Sequence, residues 1–227
     1  LGKVDVGNAI LSRWEITDAE RIKLPLRTDQ DALTQYFYLR RNIVKAKIPA
    51  LTQGSKEFYA VDIHATAFAT DDTKQQHIDK YVETLAKIHS SGDYFVTGGD
   101  LNSVPPGSVT DFCLSDMCEG EDFHTEEAEE YHKEGSYFEN FEGEPDILLP
   151  LYNAYNSAID SADANLDIHL THGPNTSYEI NDIKYDRKLD YLFTNGGWVD
   201  GISQTHQDAW ELSDHLPVSA VLFAGDN

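Results

Sequence analysis

Three early stretches of the chain are dense in aromatic and β-branched residues: "NAILSR" from Asn8, "YFYLRRNIVKAKI" from Tyr36 to Ile48, and "EFYAVDIHAT" from Glu57 to Thr66. That content predicts three strands of one sheet. The period then changes. Ile78, Tyr81, Val82, Leu85 and Ile88 recur at helical spacing, Asp71 and Asp72 offer a cap at the start, and Gly92 offers a stop, so a helix is expected between them. "DYFVTGG" reads as the strand that follows at once. A strand, helix, strand order implies an α/β layered domain with the helix packed on the sheet. From about Pro105 to Pro174 the pattern breaks into acidic runs and short apolar pieces, the mark of an elaborated insertion. Strands are expected again in "RKLDYLFTN", "GWVDGISQT" and "LPVSAVLFA", separated by Gly and polar turns.

Composition sets the limits of this picture. At 227 residues, with 40% hydrophobic and 25% charged residues, the chain fits a single domain over residues 1–227 with a real core. Forty acidic residues against seventeen basic ones leave a formal charge of −23. Such a field slows polyanions unless a local basic groove or bound cations reverse it. No apolar run approaches the roughly 20 residues needed to cross a bilayer. The chain opens on Leu1 without a Met, which implies processing or truncation upstream. Cys113 and Cys118 are the only cysteines. Their spacing permits a local disulfide or two plain buried thiols, and two thiols alone make a poor zinc site. High acidity, one Met and that possible bridge lean towards an extracytoplasmic or secreted enzyme. The acidic stretch "EGEDFHTEEAEE" has no EF-hand spacing and reads as a solvated face.

Candidate chemistry gathers at the ends of the expected strands. In "YFVTGGDLNSVPPGS", from Tyr94 to Ser108, two glycines permit close backbone approach before Asp100 and Asn102 emerge where the strand ends, a common place for site residues in α/β sheets. Asp and Asn also form ordinary turns, so this pattern is weak by itself. Three further stretches strengthen it. "VDIHAT" puts His64 at a strand end, "KLDYLF" puts Asp190 among apolar residues, and "SDHLP" sets Asp214 and His215 side by side before the final strand. A buried Asp needs a partner, and His215 is the natural one, because a carboxylate fixes the imidazole tautomer and stabilises its protonated form.

The ordered segments "GNAILSR", "VDIHAT", "GGDLNS", "KLDYLF" and "SDHLP" together resemble the endonuclease/exonuclease/phosphatase superfamily of metal-dependent phosphoesterases. The resemblance spans Gly7 to Pro217 and implies a four-layered α/β sandwich, two mixed sheets face to face with helices outside. It also implies an Asn and then a Glu upstream of the "GNAILSR" element as metal ligands. Glu15 and Glu20 come too late to take their place, so two expectations stand: the first strands of the fold lie on a missing or separate piece of chain, or the protein is an incomplete relative.

By the same resemblance, Asp100 orients and deprotonates the attacking water and Asn102 holds that water or a phosphate oxygen. His215, braced by Asp190, contacts the phosphate, His64 stabilises or protonates at the scissile group, and Asp214 is the remaining metal ligand. An oxygen-rich site suits Mg²⁺ or Mn²⁺. The substrate implied is a phosphoester, whether nucleic acid, nucleotide, sugar phosphate or phospholipid. The clearest basic cluster, Arg40, Arg41, Lys45 and Lys47, is a short alternation and not the stripe that duplex DNA requires, which favours a secreted nuclease or a phosphatase of smaller or lipid-linked phosphoesters. The rival expectation is a catalytically incomplete binding module of the same fold.

Overall fold

A computed structural model describes residues 7–67, 69–107, 143–173, 185 and 187–223. Cys113, Cys118 and the acidic stretch from Glu119 to Glu130 lie outside these residues. The elements are β1 (Thr17–Lys23), α1 (Ala32–Phe37), β2 (Asn42–Lys47), β3 (Phe58–His64), α2 (Thr73–Ser90), β4 (Tyr94–Asp100), α3 (Leu149–Ala154), β5 (Asn156–Ser157), β6 (Asp190–Thr194), β7 (Gly197–Trp198), β8 (Gln204–Thr205), β9 (Val218–Ser219) and β10 (Leu222–Phe223). Six strands form one mixed sheet in the order β1-β2-β3-β4-β6-β5, while β7 with β10 and β8 with β9 make two short pairs. The mixed α/β class is as expected. Among the described residues those two pairs are the only strands outside the six-stranded sheet, where the resemblance implies a second mixed sheet.

Register assigns each face of the sheet. Ile43, Ile63, Gly99 and Tyr191 pair across β2, β3, β4 and β6, and so do Lys45, Val61, Thr97 and Phe193. Directly paired residues share a face, and this is the face covered by α2. There Ile78, Tyr81, Leu85 and Ile88 meet Val61, Ile63, Phe95, Tyr191 and Phe193 in one core. Tyr81 anchors the helix through a hydroxyl bond to Thr97. Two glycines let β4 lie flat between its neighbours. A Cβ on Gly98 would stand 2.4 Å from the Tyr191 carbonyl oxygen, and one on Gly99, whose φ is +131°, only 1.9 Å from that of Ile63.

Four expectations change. "GWVDGISQT" and "LPVSAVLFA" each hold two separate two-residue strands and not one, β7 and β8 in the first and β9 and β10 in the second. "NAILSR" is not a strand, since Asn8 crosses the end of β2 and donates to the Asn42 carbonyl at 3.0 Å. The first strand is instead the polar "TDAERIK", an edge strand whose charges protect its open side and hide it from an apolar pattern. The long strand expected from Tyr36 begins as a helix, because Asp31 caps the Leu33 and Thr34 N–H groups at 2.9 and 3.1 Å. No residue of that helix is buried, so capping decides its form without competition from packing. The region from Pro105 to Pro174 is not all surface elaboration. Ile147, Leu148, Leu151 and Tyr155 belong to the central core, and the buried Glu144 forms an ion pair with the equally buried Lys74 of α2.

Candidate active site

The face opposite α2 ends in a row of polar residues. His64 pairs in register with Asp100, and Asp100 with Asp190, so three of the expected residues stand side by side on neighbouring strands. β3 and β4 run parallel and β6 runs against them. The last residues of two strands therefore meet the first of the third.

Each side chain in the row is held. The Asp100 carboxylate accepts the Asn102 N–H at 2.8 Å and the Asn102 side-chain amide at 2.9 Å, and His64 Nε2 lies 3.2 Å from it. Asn102 adopts the left-handed φ of +47°, which Asn tolerates better than most residues. It is nearly inaccessible and also donates to the Ala65 carbonyl at 3.0 Å. Its amide is thus committed to fixing Asp100 and the end of β3. Burial works to raise the Asp100 pKa, but the bond from His64, the charges of His215 and His64, and the Asn102 N–H hold it below the ordinary carboxylate value.

His215 enters from the segment before β9. Its Nδ1 donates to Asp190 Oδ2 at 2.8 Å, and its Nε2 points towards Asp100, 3.9 Å away. Burial alone would lower the imidazole pKa. Asp190, Asp100 and Asp214 override it and raise the value to about 9, so the ring carries a proton at neutral pH. Asp214 is exposed, and its carboxylate accepts the Ser213 hydroxyl at 3.2 Å. Burial opposes its ionisation, but its own backbone N–H, His215, Ser213 and His172 keep its pKa low.

Four neighbours are missed by the sequence reading. Thr171 Oγ1 accepts the N–H groups of Leu189 and Asp190 at 2.9 and 3.2 Å, and the His172 ring stacks on that of His215. Both lie in a region that reads as insertion, without periodicity to mark them. Asp62 shares the face of His64 two residues earlier on β3, and burial pushes its pKa up to about 6. The period of two in "VDIH" is the signal that places it there. Lys188, beside Asp190, is buried, and desolvation pulls its pKa down to about 8. Its ammonium lies 3.5 Å from the His169 carbonyl and 5.2 Å from the Tyr191 ring centre.

Among the described residues, two sets of side chains approach closely enough to share a cation: Asp100, Asp190 and His215, with ligand atoms within 4.8 Å of one another, and His172, Asp214 and His215 on the same criterion. In the first set the two carboxylates are the donors a hard divalent ion prefers, while His215, protonated and bonded through Nδ1–H to Asp190, offers no lone pair. The second does not converge. Imidazole lone pairs lie in the ring planes, and the two rings are stacked 4.4 Å apart, so they cannot point at one ion. Asp214 is the hard donor in that group. Glu20 serves neither set, because it pairs with Lys45 at 2.7 Å and Lys45 lies on the α2 face. The lysines of the basic cluster are likewise paired, Lys47 being bonded to Glu57 and 3.8 Å from Asp18.

A His–Asp pair beside a fixed Asp–Asn pair, at the open end of a mixed sheet, is the equipment of a hydrolase acting by proton transfer and charge stabilisation. The chain matches the Endonuclease/Exonuclease/phosphatase family over residues 2–215 and belongs to it. The family is one of phosphoester hydrolases. No curated protein matches the sequence. Among solved structures, the fold is similar to an endonuclease/exonuclease/phosphatase from Beutenbergia cavernae (TM-score 0.55, 13% identity), covering 93% of this chain and 46% of that one. It is also similar to a 3′ phosphatase from Neisseria bound to a product DNA hairpin (TM-score 0.54, 15% identity), covering 93% of this chain and 73% of that one. This chain therefore spans less than half the length of the Beutenbergia protein. No helix among the described residues is long and apolar enough to cross a membrane.

Proposed function

We propose that this protein is a divalent-metal-dependent phosphoesterase that hydrolyses a phosphodiester or phosphomonoester by in-line attack of water. The observation that carries this reading is the registered row His64, Asp100, Asp190 with His215 bonded to its last member. Asp100 is the base: its carboxylate is ionised and fixed by Asn102, so it can orient a water and take its proton. Asn102 acts through Asp100, since its amide is already committed there. His215, protonated and braced by Asp190, places positive charge and an N–H beside the phosphoryl oxygens. His64 stands on the other side of Asp100 and serves the leaving or scissile oxygen. Asp214, the exposed carboxylate beside His215, would be a ligand of Mg²⁺ or Mn²⁺. When bound, that ion supplies neutralisation of charge on the phosphoryl group. The lysines of β2 are paired and face α2, which favours smaller or lipid-linked phosphoesters over an extended duplex.

The test is turnover by the intact protein of bis-p-nitrophenyl phosphate, p-nitrophenyl phosphate and duplex DNA, each with Mg²⁺, Mn²⁺ or EDTA. Metal-dependent release from at least one small ester is expected, with loss in Asp100→Ala and His215→Ala while the far-ultraviolet spectrum is kept. Turnover unchanged in either variant, or undiminished in EDTA, defeats the proposal.

A further inference from the structure

The Thr171–His172 segment is stapled to both halves of the His–Asp pair. The N–H groups of Thr171 and His172 donate to the Arg187 carbonyl at 2.8 and 3.0 Å, just before β6, and Thr171 Oγ1 accepts from Asp190 itself. On the other side Leu216 N–H donates to the Thr171 carbonyl at 2.9 Å, and His172 pairs with His215 in an isolated antiparallel bridge. His172 is 4% exposed. Its Nδ1 donates to the Asp214 carbonyl at 3.0 Å, the peptide group that leads into His215. Its face lies against His215 with ring centres 4.4 Å apart and planes 29° apart.

His215 needs such support. Its side chain is 29% exposed and sits outside any strand. A half-turn about its outer side-chain bond would exchange the positions of Nδ1 and the ring carbon, and the bond to Asp190 would be lost. That torsion is soft in a free histidine. A flat partner against one ring face leaves the in-plane bond to Asp190 intact while opposing tilt and rotation.

We propose that His172 is a positioning residue: its ring, stacked on His215, holds the orientation in which Nδ1 meets Asp190 and Nε2 faces Asp100. The inference rests on the phosphoesterase reading for its kinetic consequence and on geometry alone for its structural one. His172 does not touch the reacting atoms. Its removal should lower kcat and spare KM, because an imidazole out of line fails in the transition state more than in substrate binding.

The intact protein is compared with His172→Ala and His172→Phe. In His172→Ala, kcat on bis-p-nitrophenyl phosphate is expected to fall about 10- to 100-fold, the range seen when a supporting partner is lost, with KM within about threefold. His172→Phe keeps the flat ring and should restore kcat to within about threefold of the parent. The second readout is the low-field proton resonance of the His215 Nδ1–H shared with Asp190, assigned by its disappearance in His215→Gln. It should persist in the parent and His172→Phe and vanish in His172→Ala. A His172→Ala protein that keeps both kcat and the resonance overturns the proposal, and so does a His172→Phe protein as impaired as His172→Ala. If the parent hydrolyses no phosphoester, the function proposed above fails, while the resonance comparison still decides the role of His172.

Discussion

Replacing Asp190 by Asn tests the charge that sets the state of His215. The amide can still accept the Nδ1–H, so geometry survives while the negative charge goes. In the parent, burial pulls the imidazole pKa down and three carboxylates raise it from 6.5 to about 9, a preference for the imidazolium of about 3 kcal/mol. Asp190, bonded at 2.8 Å, is the strongest of the three, and losing a carboxylate this close lowers the pKa by about one to two pH units. A proton NMR titration of His215 should therefore place its midpoint nearer 7 to 8. The same shift governs stability. The folded pKa exceeds the unfolded 6.5, so this group's contribution is complete below pH 6.5 and is lost as pH rises through 9. Urea midpoints measured from pH 6 to pH 10 should fall across that window in the parent and fall less in Asp190→Asn. A midpoint for His215 in the variant within about 0.3 of the parent would refute the assignment of its charge to Asp190, since a close carboxylate shifts an imidazole by at least about one unit.

Two further substitutions test the frame around the row. Gly99→Ala places a methyl 1.9 Å from the Ile63 carbonyl oxygen at a φ of +131°. β3 and β4 cannot separate without losing their parallel pairing, so a loss of about 4 kcal/mol or more, or no soluble protein, is expected in urea denaturation. A Gly99→Ala protein of parental stability would mean that the two strands do not lie in this register. Glu144→Gln leaves the ammonium of Lys74 buried beside a neutral amide, and a loss of about 3 to 5 kcal/mol is expected in thermal melting. The double variant Lys74→Met/Glu144→Leu should recover most of it, because the cost comes from a buried ammonium that has lost its Glu144 carboxylate and not from the missing pair. A double variant no better than Glu144→Gln would contradict that account.

The strong periodic elements were legible in the chain. α2 shows its buried stripe at helical spacing, and β3 and β4 show apolar runs bounded by turn residues, because burial against a core forces such patterns on any sequence that folds. Asp190 was legible for a related reason, whereas His64, Asp100, Asn102, Asp214 and His215 stood out as a set through the ordered segments that resemble the family. A charged group amid apolar neighbours is costly unless a partner waits elsewhere, so Asp190 announces that a partner exists. What the sequence could not express was anything settled by contact between distant segments. β1 and α1 bury little, so no periodicity betrays them, and edge charge and a single cap decide their form. Only the tertiary structure put Asp100 between His64 and Asp190, because that depends on a one-residue choice of register in a parallel and an antiparallel pair. It also turned Asn102 inward to fix Asp100, and carried Thr171 and His172 out of an irregular region to clasp the His215 segment. Those placements rest on contacts between segments far apart in the chain, backbone bonds from Thr171 and His172 to Arg187 and side-chain bonds from Asn102 and Thr171, which leave no local periodicity to read.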